Sequence, residues 1–139
     1  YNLEPGITRI FQIWILPEQR GGQPSWGTKP FPKGERSGQF VALASGTGTD
    51  ADALPIRTDA RVLGATLKAG ETAEYRFDGE GRHGYLVPAI GKVEVNGVAL
   101  DARDGAAIKD EAVICVTALE DAELVLVDSA PLNQTRLRP

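Results

Sequence analysis

Short apolar stretches separated by turn residues fill the chain from residue 60 to residue 128, and this spacing constrains the fold most strongly. In Thr72–Phe77 apolar and polar side chains alternate, which is the pattern of a half-buried strand. Asn96-Gly97 is a dipeptide typical of a two-residue hairpin turn. No window has the apolar stripe of a helix. The predicted strands are Gln39–Ala44, Arg61–Leu67, Thr72–Phe77, Tyr85–Ile90, Val93–Val95, Val98–Leu100, Ala106–Ile108, Val113–Thr117 and Leu124–Val127.

Strands at such short intervals predict an all-β sandwich, barrel or jelly roll. At 139 residues, one domain with a real core is the expected size. Tyr75, Phe77 and Tyr85 are expected to line the interior. A barrel of this kind is usually filled by side chains, although a small apolar cavity is the alternative.

The first third of the chain has a different character. Thr8–Leu16 is β-branched and aromatic, is apolar on nearly both faces and is followed by Pro17, which predicts a strand buried on both sides with Trp14 in the core. Glu18–Ser37 is rich in proline and glycine and is predicted to be a linker or long loop without regular structure. Trp26 is expected to anchor this linker on the barrel surface, or to bind a partner.

Composition excludes several functional classes. The net charge of -4 argues against a nucleic-acid partner, and no stretch approaches the roughly 20 apolar residues that span a bilayer. The single cysteine, Cys115, excludes an internal disulfide, is expected to be buried and inert, and is compatible with the cytoplasm. The chain contains no methionine, so we expect it to be a processed protein or, more simply, a fragment of a longer one.

Two sets of residues carry a resemblance to a known family. Gly64–Asp128 has the strand and turn rhythm of a cupin, a double-stranded β-helix jelly roll. Phe11–Glu18 (FQIWILPE) resembles the segment that joins the halves of pirin-like bicupins, the family that includes bacterial quercetin 2,3-dioxygenases. The resemblance implies that residues 1–17 are the last strand of an N-terminal cupin, 18–38 the linker, 39–130 the C-terminal cupin and 131–139 a tail.

The resemblance also implies where the metal belongs. Family members hold iron or another divalent transition metal in the N-terminal cupin with three His and one Glu, upstream of the Phe11–Glu18 segment. A cupin site needs two His at alternate positions of one strand, and this chain has one His in total. We therefore assign no catalytic, cofactor-binding or metal-ligating residue to this chain.

The remaining candidates for catalytic or metal-binding residues each have a simpler structural interpretation. His83 lies between two predicted strands and is expected to be a loop residue rather than an acid or base at a cavity mouth. Asp101, Asp104, Asp110 and Glu111 lack the spacing of a calcium loop and are expected in turns.

Two further sets of residues lack the features of catalytic or phosphate-binding motifs. Gly46-Thr47-Gly48 lacks the Lys and following helix of a phosphate loop, so it is expected to be a turn. Ser45, Ser129 and Cys115 have no nucleophile elbow and no base other than His83.

Three functional hypotheses follow. The first is a metal-free C-terminal cupin with a structural role, shielding an N-terminal cupin half that carries the metal and the possible quercetin 2,3-dioxygenase activity. The second is a stand-alone binding module for a small ligand or a protein partner. The third, a metal-independent cupin isomerase, needs a His and an Asp inside the barrel. On the first hypothesis, Thr8–Leu16 would fold back on its own barrel or pair with a second copy.

Overall fold

The computed structural model describes residues 2–131 and contains two β-sheets that face each other. The strands are β1 (Val41–Ser45), β2 (Leu54–Pro55), β3 (Ala60–Leu67), β4 (Thr72–Arg76), β5 (His83–Ile90), β6 (Val93–Val95), β7 (Val98–Leu100), β8 (Ala106–Lys109), β9 (Val113–Ala118) and β10 (Ala122–Ser129). The six-stranded sheet has the order β2-β1-β3-β10-β5-β8, and the four-stranded sheet has the order β4-β9-β6-β7.

Chain order and sheet order together define a jelly roll. From β3 to β10 each strand crosses to the opposite sheet, except at the β6–β7 hairpin, which stays in the four-stranded sheet. All pairings between these strands are antiparallel. The all-β jelly-roll prediction is confirmed.

The core lies between the two sheets and follows from strand alternation. Along β10 the residues are alternately buried and half-buried, so Leu124 and Leu126 point inward against Ile114 and Val116 of β9. Each fully buried side chain of this size stabilises the fold by about 1.5–3 kcal/mol relative to an exposed one. Tyr75 and Phe77 are also buried, as predicted.

The β6–β7 hairpin confirms the turn prediction. Asn96 has a φ of 46° and Gly97 a φ of 87°, the left-handed values that a tight hairpin turn requires at both positions. The Asn96 side chain also accepts a hydrogen bond from the Cys115 backbone N–H at 2.8 Å, so the turn is tied to β9.

Two short elements were not predicted. β2 has two residues and pairs in parallel with the end of β1. A single 3₁₀ turn, Lys33–Arg36, interrupts the segment that was expected to be irregular throughout. Elements of this length carry no hydrophobic period, so only long-range contacts reveal them.

The prediction of a buried strand at Thr8–Leu16 is wrong for this structure. The segment is not a strand, and Trp14, expected in the core, is 87% exposed. A strand needs a neighbouring backbone, and within residues 2–131 no hydrogen bond is seen to the backbone of 8–16. Phe11 and Ile13 are half-exposed on one side of the segment, so its apolar residues are only partly covered.

Three other burial predictions are wrong. Cys115 is exposed because Ile114 and Val116 take the inward positions of β9. Tyr85 is 51% exposed because Gly84 and Leu86 take the inward positions of β5. Trp26 is 91% exposed, so it does not anchor the linker on the barrel. The predicted tail, residues 131–139, falls almost entirely outside the described residues.

Candidate functional site

One end of the jelly roll is filled by three aromatic rings. Tyr75 of β4 meets Phe40 edge to face at a centroid distance of 5.9 Å and meets Phe77 in the same manner at 5.2 Å. Gly84 of β5 makes room for Phe77, because a Cβ at this position would lie 2.7 Å from Cζ of the Phe77 ring. The rings therefore occupy the space between the sheets here, and the only polar atom that they bring into it is the Tyr75 hydroxyl.

That hydroxyl is the centre of a network of charged groups. Tyr75 donates to Oδ2 of Asp128 at 2.5 Å, and Nη1 of Arg61 donates to the Tyr75 oxygen at 2.9 Å. Nε of Arg82 donates to the other Asp128 oxygen, Oδ1, at 2.6 Å. Asp128 is 1% exposed, so a carboxylate is held inside the barrel with both of its oxygens bonded.

The two arginines connect this centre to surface loops. Arg61 forms a bidentate pair with Asp50, with both nitrogen–oxygen distances at 2.9 Å. Nη1 of Arg82 donates to Oδ1 of Asp59 at 2.9 Å. The resulting chain of contacts runs Asp50, Arg61, Tyr75, Asp128, Arg82, Asp59, and we call it the Tyr75 network.

Strand register brings these residues together. Asp128 at the end of β10 is directly opposite Arg61 on β3 and Gly84 on β5, and Arg82 immediately precedes β5. Tyr75 reaches across from β4 in the other sheet. The network thus joins both sheets and fastens the segment 50–59 onto the end of the barrel.

The protonation states follow from these contacts. Burial and the hydrogen bond to Asp128 raise the pKa of Tyr75 well above its ordinary 10.0, so the phenol stays neutral. The hydrogen bond from Arg61 lowers the pKa of Asp50 below its ordinary 3.8, although burial opposes this. Burial would lower the pKa of Arg61, but its bond to Asp50 prevails and the pKa is raised. The network thus holds a neutral phenol beside the ion pair of Arg61 and Asp50.

The donor set does not suit a divalent metal. The guanidinium groups of Arg61 and Arg82 repel a cation, and the Asp128 carboxylate is already fully engaged. Across the described part of the chain, no three His, Cys, Asp or Glu side chains come together. The aromatic rings and the network together occupy the space between the two sheets at this end of the barrel.

His83 was expected in a loop, and this prediction is wrong in detail. It is the first residue of β5, where it is opposite Lys109 and Ser129, and its side chain is exposed on the outer face. Sheet pairing at the end of β10 extends the strand to include it. No side-chain hydrogen bond of His83 is seen in residues 2–131, so it is not joined to the Tyr75 network.

Asp104, Asp110 and Ser45 take local structural roles. The Asp104 carboxylate accepts a hydrogen bond from the Asp101 backbone N–H at 3.0 Å, which closes a turn. Asp110 has a φ of 58°, a value found at turns. Ser45 shares a hydrogen bond with Thr47 at 3.0 Å.

Sequence reasoning missed the charged members of the Tyr75 network. The signal was Asp128, a carboxylate in phase with the inward residues Leu124 and Leu126 of the same strand. A buried carboxylate requires a cationic or hydrogen-bonding partner, which would have directed attention to Arg61 and Arg82.

No helix within residues 2–131 has the length and apolar character needed to cross a membrane.

Comparison with known proteins gives consistent matches. The family model described as "Quercetinase C-terminal cupin domain" matches residues 42–129. A "Pirin-like protein" of Caulobacter vibrioides is 77% identical over 94% of this chain and 56% of its own length. The "Putative quercetin 2,3-dioxygenase PA1210" of Pseudomonas aeruginosa is 61% identical with the same two coverages.

A solved structure agrees with these matches. The bacterial pirin YhhW of Escherichia coli, in complex with nickel(II), aligns with a TM-score of 0.75 and 28% identity over 86% of this chain and 49% of that one. This chain spans about half the length of the curated relatives it matches. The chain belongs to the pirin-like family, in which it corresponds to the C-terminal cupin domain.

Proposed function

We propose that this chain is the metal-free C-terminal cupin of a two-cupin protein, in which it has a structural role. The N-terminal cupin would hold iron or another divalent metal and carry any quercetin 2,3-dioxygenase activity. The Tyr75 network is the observation that carries this proposal, since two arginines and a fully bonded carboxylate close the end of the barrel. The division at 1–17, 18–38, 39–130 and 131–139 and a cytoplasmic location belong to the same proposal.

Activity assays test this role directly. The purified 139-residue chain, supplied with Fe(II) or Cu(II) and oxygen, is expected to consume quercetin no faster than the metal salt alone. His83→Gln is the matched control, because it removes the lone imidazole at an exposed site. Metal-dependent turnover by the wild-type chain above that background would contradict the proposal.

The segment Thr8–Leu16 supplies the proposed contact surface. Its apolar side chains are exposed and its backbone lacks a strand partner among residues 2–131, so it is suited to pairing with another strand. In a two-cupin protein, the partner would be the N-terminal half. In the isolated chain, the partner would be the same segment of a second copy, giving a dimer.

A further inference from the structure

A groove lies between the N-terminal segment and the outer face of the six-stranded sheet. Ile7, Ile10 and Phe11 form one wall of the groove. The groove has a volume of about 830 Å³. The floor consists of small and aliphatic residues on four neighbouring strands, namely Leu43, Gly64, Ala89 and Val125. We call this the basic groove, because of the charges around it.

Four cationic side chains and one carboxylate line the basic groove. The cations are Arg9, Lys33, Arg36 and Arg103, and the carboxylate is Glu123. Lys33 is paired with Glu123, and Nη1 of Arg36 donates to the Phe31 carbonyl at 2.8 Å. Among residues 2–131, neither Arg9 nor Arg103 has an ion pair. Positive charge is thus concentrated at one place in a protein whose net charge is -4.

The groove floor depends on the absence of a side chain at Gly64. A Cβ there would lie 3.1 Å from Cδ1 of Leu43 and 3.2 Å from Cδ of Arg36. Glycine therefore lets the aliphatic part of Arg36 lie close to the sheet, beside the apolar floor. This places an apolar surface and cationic groups within the reach of one ligand.

We propose that the basic groove binds a small amphipathic anion with a flat apolar body and a carboxylate. The volume is in the range of small-molecule sites, and the floor supplies apolar contact. The two unpaired guanidinium groups supply the charge that a carboxylate needs. An acidic protein segment is the alternative occupant, but the volume of about 830 Å³ is that of a small-molecule site. The proposal does not rest on the structural role argued above, but Arg9, Ile10 and Phe11 belong both to the groove and to the segment Thr8–Leu16, so an anion bound here would compete with the pairing proposed for that segment.

Binding of 2-naphthoate to the 139-residue chain, measured by titration calorimetry, tests the proposal. The neutral analogue 2-naphthamide is expected to bind at least tenfold more weakly, because a neutral amide does not form the charge-assisted hydrogen bonds that a carboxylate accepts from guanidinium groups. The double variant Arg9→Gln/Arg103→Gln is expected to lose a similar factor for 2-naphthoate. Arg76→Gln, at an exposed site on β4 of the opposite sheet, is the matched control and is expected to bind as the wild type does.

A blocking variant separates groove binding from nonspecific attraction. Ala89→Phe places a ring in the floor and is expected to abolish binding, while circular dichroism confirms that the variant is folded. The absence of 2-naphthoate binding would overturn the proposal. Equal binding of the naphthamide, or an unchanged affinity in the double arginine variant or in Ala89→Phe, would also overturn it. Binding of an acidic peptide in preference to 2-naphthoate would assign the groove to a protein partner instead.

Discussion

The Tyr75 hydroxyl and the Asp128 carboxylate meet at 2.5 Å inside the barrel, although 53 residues separate them in the chain. Tyr75 belongs to the four-stranded sheet and Asp128 to the six-stranded sheet. Their contact is therefore a polar bond across the core, stabilised on either side by Arg61 and Arg82.

Removing the Tyr75 hydroxyl is expected to destabilise the fold. Tyr75→Phe keeps the ring but leaves one Asp128 oxygen and one Arg61 nitrogen without their buried partner, at a cost of about 1–3 kcal/mol. Tyr85→Phe is the matched control, since Tyr85 is half-exposed, and is expected to change stability by less than about 0.5 kcal/mol. Urea unfolding followed by circular dichroism measures both. Equal stability of Tyr75→Phe and wild type would show that the bond contributes nothing.

Acid is expected to weaken the fold through Asp50. Its pKa is lowered in the folded protein by Arg61, so the unfolded chain binds the proton more readily. The stability from this pair is present above the ordinary pKa of 3.8 and is lost as the pH falls through the lower folded value. Asp50→Asn is expected to be less stable at pH 7 and to lose less stability between pH 5 and pH 2. Asp52→Asn, two residues away and exposed, is the control and should follow the wild-type curve.

Alkali is also expected to weaken the fold, through Tyr75, whose pKa is raised rather than lowered. Because its pKa is raised in the folded state, the stability from the neutral phenol is present below the ordinary pKa of 10.0 and declines as the pH rises above it. Tyr75→Phe should therefore show a flatter loss of stability between pH 9 and pH 11 than the wild type. Parallel curves for the two proteins, measured by thermal unfolding, would contradict this.

Self-association is expected to depend on the segment Thr8–Leu16. The isolated chain should be a dimer by light scattering, and Trp14→Asp should shift it toward the monomer, because a charge in an apolar contact is costly to bury. Trp26→Asp is the matched control, an equally exposed tryptophan outside the segment, and should remain dimeric. A wild-type monomer, or equal dissociation of the two variants, would contradict the proposed role of Thr8–Leu16.

Local alternation explains which parts of the fold could be predicted. Thr72–Arg76 alternates apolar and polar residues, so its inward face was evident, and Asn96-Gly97 has the torsion angles that its turn requires. Cys115 and Tyr85 could not be placed, because their strands carry apolar residues on both faces and the sequence does not say which face is inward. The packing of the two sheets against each other determines which face of each strand is buried.

Contacts between distant residues explain what could not be predicted. Arg61 reaches Asp50 over 11 residues and Arg82 reaches Asp128 over 46, and no motif marks such pairs. Thr8–Leu16 was misjudged because its composition is that of a buried strand, whereas burial depends on a partner that residues 2–131 do not supply. In contrast, the presence of a single histidine is evident from the sequence alone, and it argues against a histidine-rich metal site in this chain without any structure.

Metal stoichiometry tests the central claim most directly. The untagged chain, incubated with Fe(II) or Ni(II) and then desalted, is expected to retain far less than one metal ion per chain, as is its His83→Gln variant, by mass spectrometry of the elements. Retention of about one metal ion per chain, lost in Asp128→Asn, would show that the Tyr75 network opens to ligate a cation and would contradict the account.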